Sequence, residues 1–118
     1  MSEPWGWHLM VDAAECDHDK ITDAENVRSF ARELVEAIDM VAYGEPQVVG
    51  FGSGNKAGFT LVQLIETSNI CCHFCDETDT LYLDIFSCKW FDEDVAVEVA
   101  RRYFGFKRAQ TRVQEREA

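Results

Sequence analysis

No stretch of this chain approaches the eighteen or so uninterrupted apolar residues that a membrane-spanning helix needs. Positive charge is scarce as well: 11 Lys and Arg stand against 22 Asp and Glu, a formal charge of -11. Phosphate contacts require clustered Lys and Arg, so this balance argues against a nucleic-acid-binding surface and is compatible with a cationic small molecule. Residues 1–7 are not basic and lead into no long apolar run, which is not the pattern of a secretion signal. The expectation is a soluble, cytoplasmic protein with neither a membrane nor a nucleic acid as partner. Repeats and low-complexity segments are missing. An even cysteine count is missing too: Cys16, Cys71, Cys72, Cys75 and Cys88 make five, and three of them crowd into one short segment where they cannot all pair. Reduced thiols fit that better than a disulfide framework. With 118 residues, 47% of them hydrophobic, the chain supports one core and a single domain over residues 1–118.

The aromatic and aliphatic residues 5–11 read as a first strand running into an acidic loop over 13–20. Thr22-Asp23-Ala24-Glu25 has capping-box spacing, and Val27, Phe30, Ala31, Leu34, Ile38 and Val41 recur on one helical face, with Gly44 and Pro46 as the stop. Three or four β-like runs follow, at 47–51, 59–66, 68–75 and 80–88. Gly52-Ser53-Gly54-Asn55-Lys56-Ala57-Gly58 lacks the Gly-Lys-Ser/Thr ending of a phosphate loop and reads as a flexible hairpin connection. Asp92 is placed to cap a second helix whose buried stripe is Val95, Ala96, Val99, Ala100 and Tyr103, with Gly105 as its end. The tail, 107–118, reads as either a last edge strand or a frayed end. This order predicts an α+β fold, an antiparallel sheet with two helices on one face. Phe59, Leu61 and Ile65 alternate with Val62 and Leu64, so both faces of that strand are apolar. The face without helices then needs cover, and a second copy of the chain supplies it, giving a homodimer or higher homo-oligomer.

Hairpin geometry draws the chemically capable residues together. If 76–79 is a four-residue turn, Cys75 pairs with Thr80, His73 with Tyr82, and Cys88 comes opposite Thr67, beside Ser68. Ser68 and His73, five positions apart, face opposite sides of a regular strand, so one shared site requires a bulge or turn near Ser68. Ser68-Asn69-Ile70-Cys71-Cys72-His73 followed by Asp84-Ile85-Phe86-Ser87-Cys88 resembles the core of the bacterial and archaeal S-adenosylmethionine decarboxylases. His8-Leu9-Met10-Val11-Asp12 with Glu15-Cys16-Asp17 looks like that family's opening strand and turn.

The resemblance implies a pyruvoyl-dependent decarboxylase of polyamine biosynthesis acting on a small-molecule amine, S-adenosylmethionine first, with arginine or ornithine as alternatives. It implies that Ser68 attacks the carbonyl of Thr67, that the Thr67–Ser68 bond breaks, and that Ser68 becomes a pyruvoyl group, an electron sink needing no external cofactor. His73 would act as base in processing and catalysis, Thr60 would supply a processing hydroxyl, and Cys88 would return a proton after carbon dioxide leaves. Glu66 and Glu77 would serve substrate binding. The chain departs from the family pattern in places: Thr67 stands where glutamate is usual, Asn69 where histidine is common, and Phe74-Cys75-Asp76-Glu77 replaces a threonine-tryptophan-proline-glutamate stretch, removing a surface on which adenine would stack. Those departures keep open a non-processed binding or regulatory homologue of the same fold. Cys72-His73-Phe74-Cys75 is the one metal-like spacing, but a zinc site wants four ligands with its cysteine pair on a tight turn, so no metal is expected.

Overall fold

The computed structural model describes residues 3–118. Six strands, β1 (Gly6–Ala14), β2 (Ala42–Phe51), β3 (Gly58–Ile65), β4 (Ser68–Cys75), β5 (Thr80–Ser87) and β6 (Arg108–Arg116), form one antiparallel sheet in the order β2-β3-β4-β5-β1-β6. Helices α1 (His18–Ile21), α2 (Ala24–Ala37) and α3 (Glu93–Phe104) cover one face, the α+β arrangement expected from the sequence. Burial alternates along each inner strand: Leu9, Val11 and Ala13, then Ile70, Cys72 and Phe74, then Leu81, Leu83 and Ile85 face the helices. From the helices come Val27, Phe30, Ala31 and Leu34 of α2 and Ala96, Val99, Ala100 and Phe104 of α3, at the spacing of a single apolar stripe. Phe104 is the keystone, with ring centroids 4.8 Å from Phe30 and 4.9 Å from Phe74, joining both helices to β4 edge to face.

Several boundaries differ from the sequence reading, each for a local reason. The acidic loop contains α1, capped by Asp17, and Thr22 closes that turn; the N-cap of α2 is therefore Asp23, whose carboxylate accepts from the Glu25 and Asn26 amides. Gly44 and Pro46 do not end α2. Asp39 does, at φ 59°, with Met40 N–H donating to Val35 O and Asp39 N–H to Glu36 O in a Schellman closure. Val41 is consequently exposed outside the helical stripe, and Gly44 and Pro46 lie within β2 where its pairing with β3 shifts between Tyr43 and Gln47. Val95, expected in the α3 stripe, is exposed in the first turn of the helix, and Tyr103 sits at the stripe's margin. The tail forms β6, an edge strand paired along β1. Among the described residues, no helix is long and apolar enough to cross a membrane, and all five cysteines are free.

The face without helices carries His8, Met10, Val62, Leu64, Cys71, Tyr82 and Phe86; Leu64 is 49% and Tyr82 46% exposed. The two-sided apolar character of β3 is thus present in the fold.

Two consequences can be measured. A Cβ on Gly58 would stand 1.8 Å from the Phe74 carbonyl oxygen, because Asp76 N–H donates to Ala57 O and draws the β4 backbone onto β3. Gly58→Ala should destabilise the fold by about 2 kcal/mol or more, read as a lower denaturation midpoint at unchanged m-value. The second concerns His18, whose Nδ1 lies 2.6 Å from Asp79 Oδ1 and ties α1 to the β4–β5 turn. The bond to Asp79 raises the His18 pKa above its ordinary value. A raised pKa stabilises the fold fully below the unfolded value of about 6.5 and loses that contribution as pH climbs through the folded one. Tm should therefore be higher for the wild type than for Asp79→Asn near pH 6, with the gap closing at alkaline pH. Asparagine tolerates the left-handed backbone at this position, so the comparison isolates the charge.

Candidate active site

Glu66 and Thr67 form a two-residue turn between β3 and β4, so Ser68 is the first residue of β4, paired to Ile65 on one side and Ser87 on the other. Four hydrogen bonds brace the turn. Glu66 N–H donates to Val41 O at 2.9 Å, and Cys88 N–H donates to Thr67 O at 3.0 Å. Ser87 Oγ donates to Thr67 Oγ1 at 2.9 Å, and that hydroxyl donates to Met40 Sδ at 3.2 Å. Ser68 is half-buried, and Asn69 Nδ2 donates to its Oγ at 3.3 Å. Cys88 lies just past the end of β5, exposed, and faces the β1 start at Gly6, where a Cβ would come within 3.6 Å of the Cys88 Cα. The register inferred from the hairpin is present: Cys75 opposite Thr80, His73 opposite Tyr82, and Cys88 bonded to Thr67. Thr67, Ser68 and Cys88 are therefore neighbours.

His73 is elsewhere. The β4 pairing runs unbroken from Ser68 to Cys75 on both sides, so the irregularity required to bring Ser68 and His73 into one site within a chain does not exist. Five extended residues separate their backbones by about 16 Å, and strand alternation sends their side chains to opposite faces. His73 belongs to a second cluster on the helix-free face, where its Nδ1 shares a 3.2 Å hydrogen bond with Thr60 Oγ1. Beside it is a cavity of about 400 Å³ lined by Lys56, Cys75, Thr78 and Tyr82 among others. Glu77 lies exposed in the turn at this same end, whereas Glu66 is exposed beside Ser68. Between the clusters, His8 Nε2 meets Asp84 Oδ1 at 2.9 Å.

The thiols differ in character. Burial, with the nearby Asp79 charge, pushes the Cys16 thiol up to about 12, and burial drives Cys72 well above its ordinary value; both are inert core residues. Cys88 is the exposed one. Among the described residues, no group of three His, Cys, Asp or Glu side chains is arranged to hold a metal ion.

Sequence reasoning passed over Ser87 and Met40, and marked Asn69 only as a departure from the family pattern. The hairpin register placed Ser87 opposite Ser68 and was the available signal for it. Met40 was hidden because the α2 stripe was extended through the residue at which the helix has already closed.

The family described as S-adenosylmethionine decarboxylase matches residues 7–117. A S-adenosylmethionine decarboxylase proenzyme of Clostridium botulinum (strain Loch Maree / Type A3) is 28% identical over 106 residues, covering 89% of this chain and 88% of that protein. The proenzyme of the Langeland strain is 26% identical over the same span. The crystal structure of the adenosylmethionine decarboxylase from Aquifex aeolicus superposes with a TM-score of 0.83 at 23% identity, covering 99% of this chain and 94% of that one, which establishes the common fold. With a match running almost from end to end, the chain belongs to the S-adenosylmethionine decarboxylase family.

Proposed function

We propose that this chain is a cytoplasmic, self-processing decarboxylase that cleaves itself between Thr67 and Ser68 and acts as a homodimer on S-adenosylmethionine. The observation that carries the reading is the Thr67 carbonyl, which accepts from Cys88 N–H next to the Ser68 hydroxyl. When Ser68 Oγ bonds to that carbonyl carbon, negative charge develops on an oxygen that already has a donor 3.0 Å away, and preorganised donors of this kind lower the barrier most. The C–N bond then breaks to leave an ester. Loss of the Ser68 α-proton expels the Thr67 carboxylate, and water releases ammonia as the new N-terminus becomes a pyruvoyl group. The chemistry that this group supplies when present is an electron sink for decarboxylation at an amine-bearing carbon. Cys88, exposed at the same turn, is the residue to hand a proton back to that carbon.

The separation of the two clusters gives the dimer its role. Two protomers related by a two-fold axis that sets the helix-free cluster of each against the β3–β4 turn of the other would bring Thr60 and His73 of one chain to Ser68 and Cys88 of the other. Leu64, Val49 and Tyr82 are the exposed apolar side chains that such stacking would cover. The aromatic surface lost with the missing tryptophan has a replacement at the Ser68 end: Phe86 pairs with Asn69, and the Trp5 ring lies 5.8 Å from it. Adenine stacks on such a pair, and the acidic field favours the sulfonium charge.

Intact mass before and after borohydride reduction with S-adenosylmethionine, arginine or ornithine tests the chemistry. The expected result is two fragments, residues 1–67 and 68–118, the second carrying a reducible adduct with S-adenosylmethionine. Ser68→Ala should abolish cleavage, and Cys88→Ala should permit it while lowering turnover at least about a hundredfold. A single uncleaved mass that forms no adduct would leave the non-processed binding homologue. Co-expressing Ser68→Ala with His73→Ala chains tests the shared site: cleavage of the His73→Ala chain is expected only in the mixed dimer, and no cleavage in the mixture would refute the exchange.

A further inference from the structure

Around the Thr67–Ser68 bond, one feature has no part in the steps above. Ser87 is fully buried, and its hydroxyl stands in the middle of a directional chain. Lys89 N–H donates to Ser87 Oγ at 3.0 Å, Ser87 Oγ donates to Thr67 Oγ1 at 2.9 Å, and Thr67 Oγ1 donates to Met40 Sδ at 3.2 Å. Ser87 Oγ also lies 3.7 Å from Met40 Sδ, so the two hydroxyls and the thioether close into one cluster around the Thr67 side chain. Both ends of the hydrogen-bond chain are anchored at the close of α2. Met40 is the residue that closes α2, and Lys89 Nζ reaches back to Asp39 Oδ2 at 3.1 Å. Ser87 and Cys88, adjacent in sequence, thus grip the side chain and the carbonyl of the same residue.

We propose that Ser87 is a positioning residue for backbone cleavage, and that it does so by reading the hydroxyl of Thr67. The inference rests on self-processing at Ser68. Thr67 is β-branched, so its χ1 is restricted, and pinning Oγ1 at 2.9 Å leaves the side chain one rotamer and couples it to the backbone. The plane of the Thr67–Ser68 peptide is then set by two contacts, the Ser87 hydroxyl and the Cys88 amide, and the angle at which Ser68 Oγ meets the carbonyl follows from that plane. Threonine in place of the family's usual glutamate is accommodated because a buried hydroxyl faces it.

The test is the first-order rate of cleavage of full-length precursor, followed by intact mass, for wild type, Ser87→Ala, Thr67→Val, the double variant and Ser87→Thr. Each of the first two changes removes the same hydrogen bond and should slow cleavage about tenfold. The double variant should be no slower than either alone, and Ser87→Thr, which restores the hydroxyl, should recover most of the rate. A purely structural role for Ser87 would lower Tm without coupling to Thr67. Cleavage of Ser87→Ala at the wild-type rate, or single effects that multiply to about a hundredfold in the double variant, overturns the proposal while self-processing stands. Should Ser87→Ala fail to fold, Thr67→Val decides alone: slowing at unchanged Tm supports the proposal, and the wild-type rate overturns it. Wild-type protein that stays intact refutes self-processing itself, and this inference with it.

Discussion

Turn 76–79 closes β4 onto β5 with Cys75 opposite Thr80, and this one register decides what stands beside Ser68. A slip of a single residue would rotate Leu81, Leu83 and Ile85 out of the core, so the register is held by the whole buried row rather than by the turn alone. The turn is also tied from outside. Cys16 N–H donates to Asp79 O, and His18 bonds to the Asp79 carboxylate, fixing a residue that sits at φ 53°. At the far end of β5, the same register delivers Ser87 and the following Cys88 to Thr67. The candidate site is therefore positioned from the opposite end of the hairpin.

Each strand serves two surfaces. Toward the helices, β4 contributes Ile70, Cys72 and Phe74 to a dry core in which the buried thiol behaves as a small apolar side chain. Toward the other side it contributes Asn69, Cys71 and His73, on the face that the helices leave uncovered. Extended backbone gives this division without extra cost, since alternation separates the two sets automatically. It also forbids Ser68 and His73 from meeting in one chain. The strand here is whole, so within this chain the two residues stay on separate faces.

Much of this was legible in the sequence because it rests on periodicity. The α2 and α3 stripes, the two-sided β3 and the β4–β5 hairpin follow from spacing alone, and Ser68, Cys88 and Thr67 were brought together by counting residues through a turn. What was not legible depends on single backbone angles or on bonds between distant segments. The end of α2 turns on Asp39 adopting a left-handed conformation, which a glycine five residues later obscured. The bulge in β2 swallowed Gly44 and Pro46 because buried Gln63 donates to the Gly44 carbonyl and rewards the distortion there. β6 has no buried residue at all, so no apolar rhythm marked it; it is held by its ladder to β1 and by the Arg108–Glu15 pair.

The departures from the family pattern make physical sense as a linked set. Asn69 donates to Ser68 Oγ and accepts from the Cys71 thiol, using both ends of an amide where an imidazole is common. Thr67 faces Ser87 and Met40, a pocket with one hydroxyl and one thioether, and the basic side chain two residues beyond Ser87, Lys89, is already engaged by Asp39. A glutamate at 67 would have to bring its charge against that buried pair or turn away from it, and an ionised carboxylate does not enter such a site without a partner. Glu66, one position earlier, keeps a carboxylate at the turn, but on the solvent side. The exchange of side chains at 66 and 67 and the buried hydroxyl at 87 are thus two sides of one packing solution: the acid goes to water, and the small hydroxyl goes in.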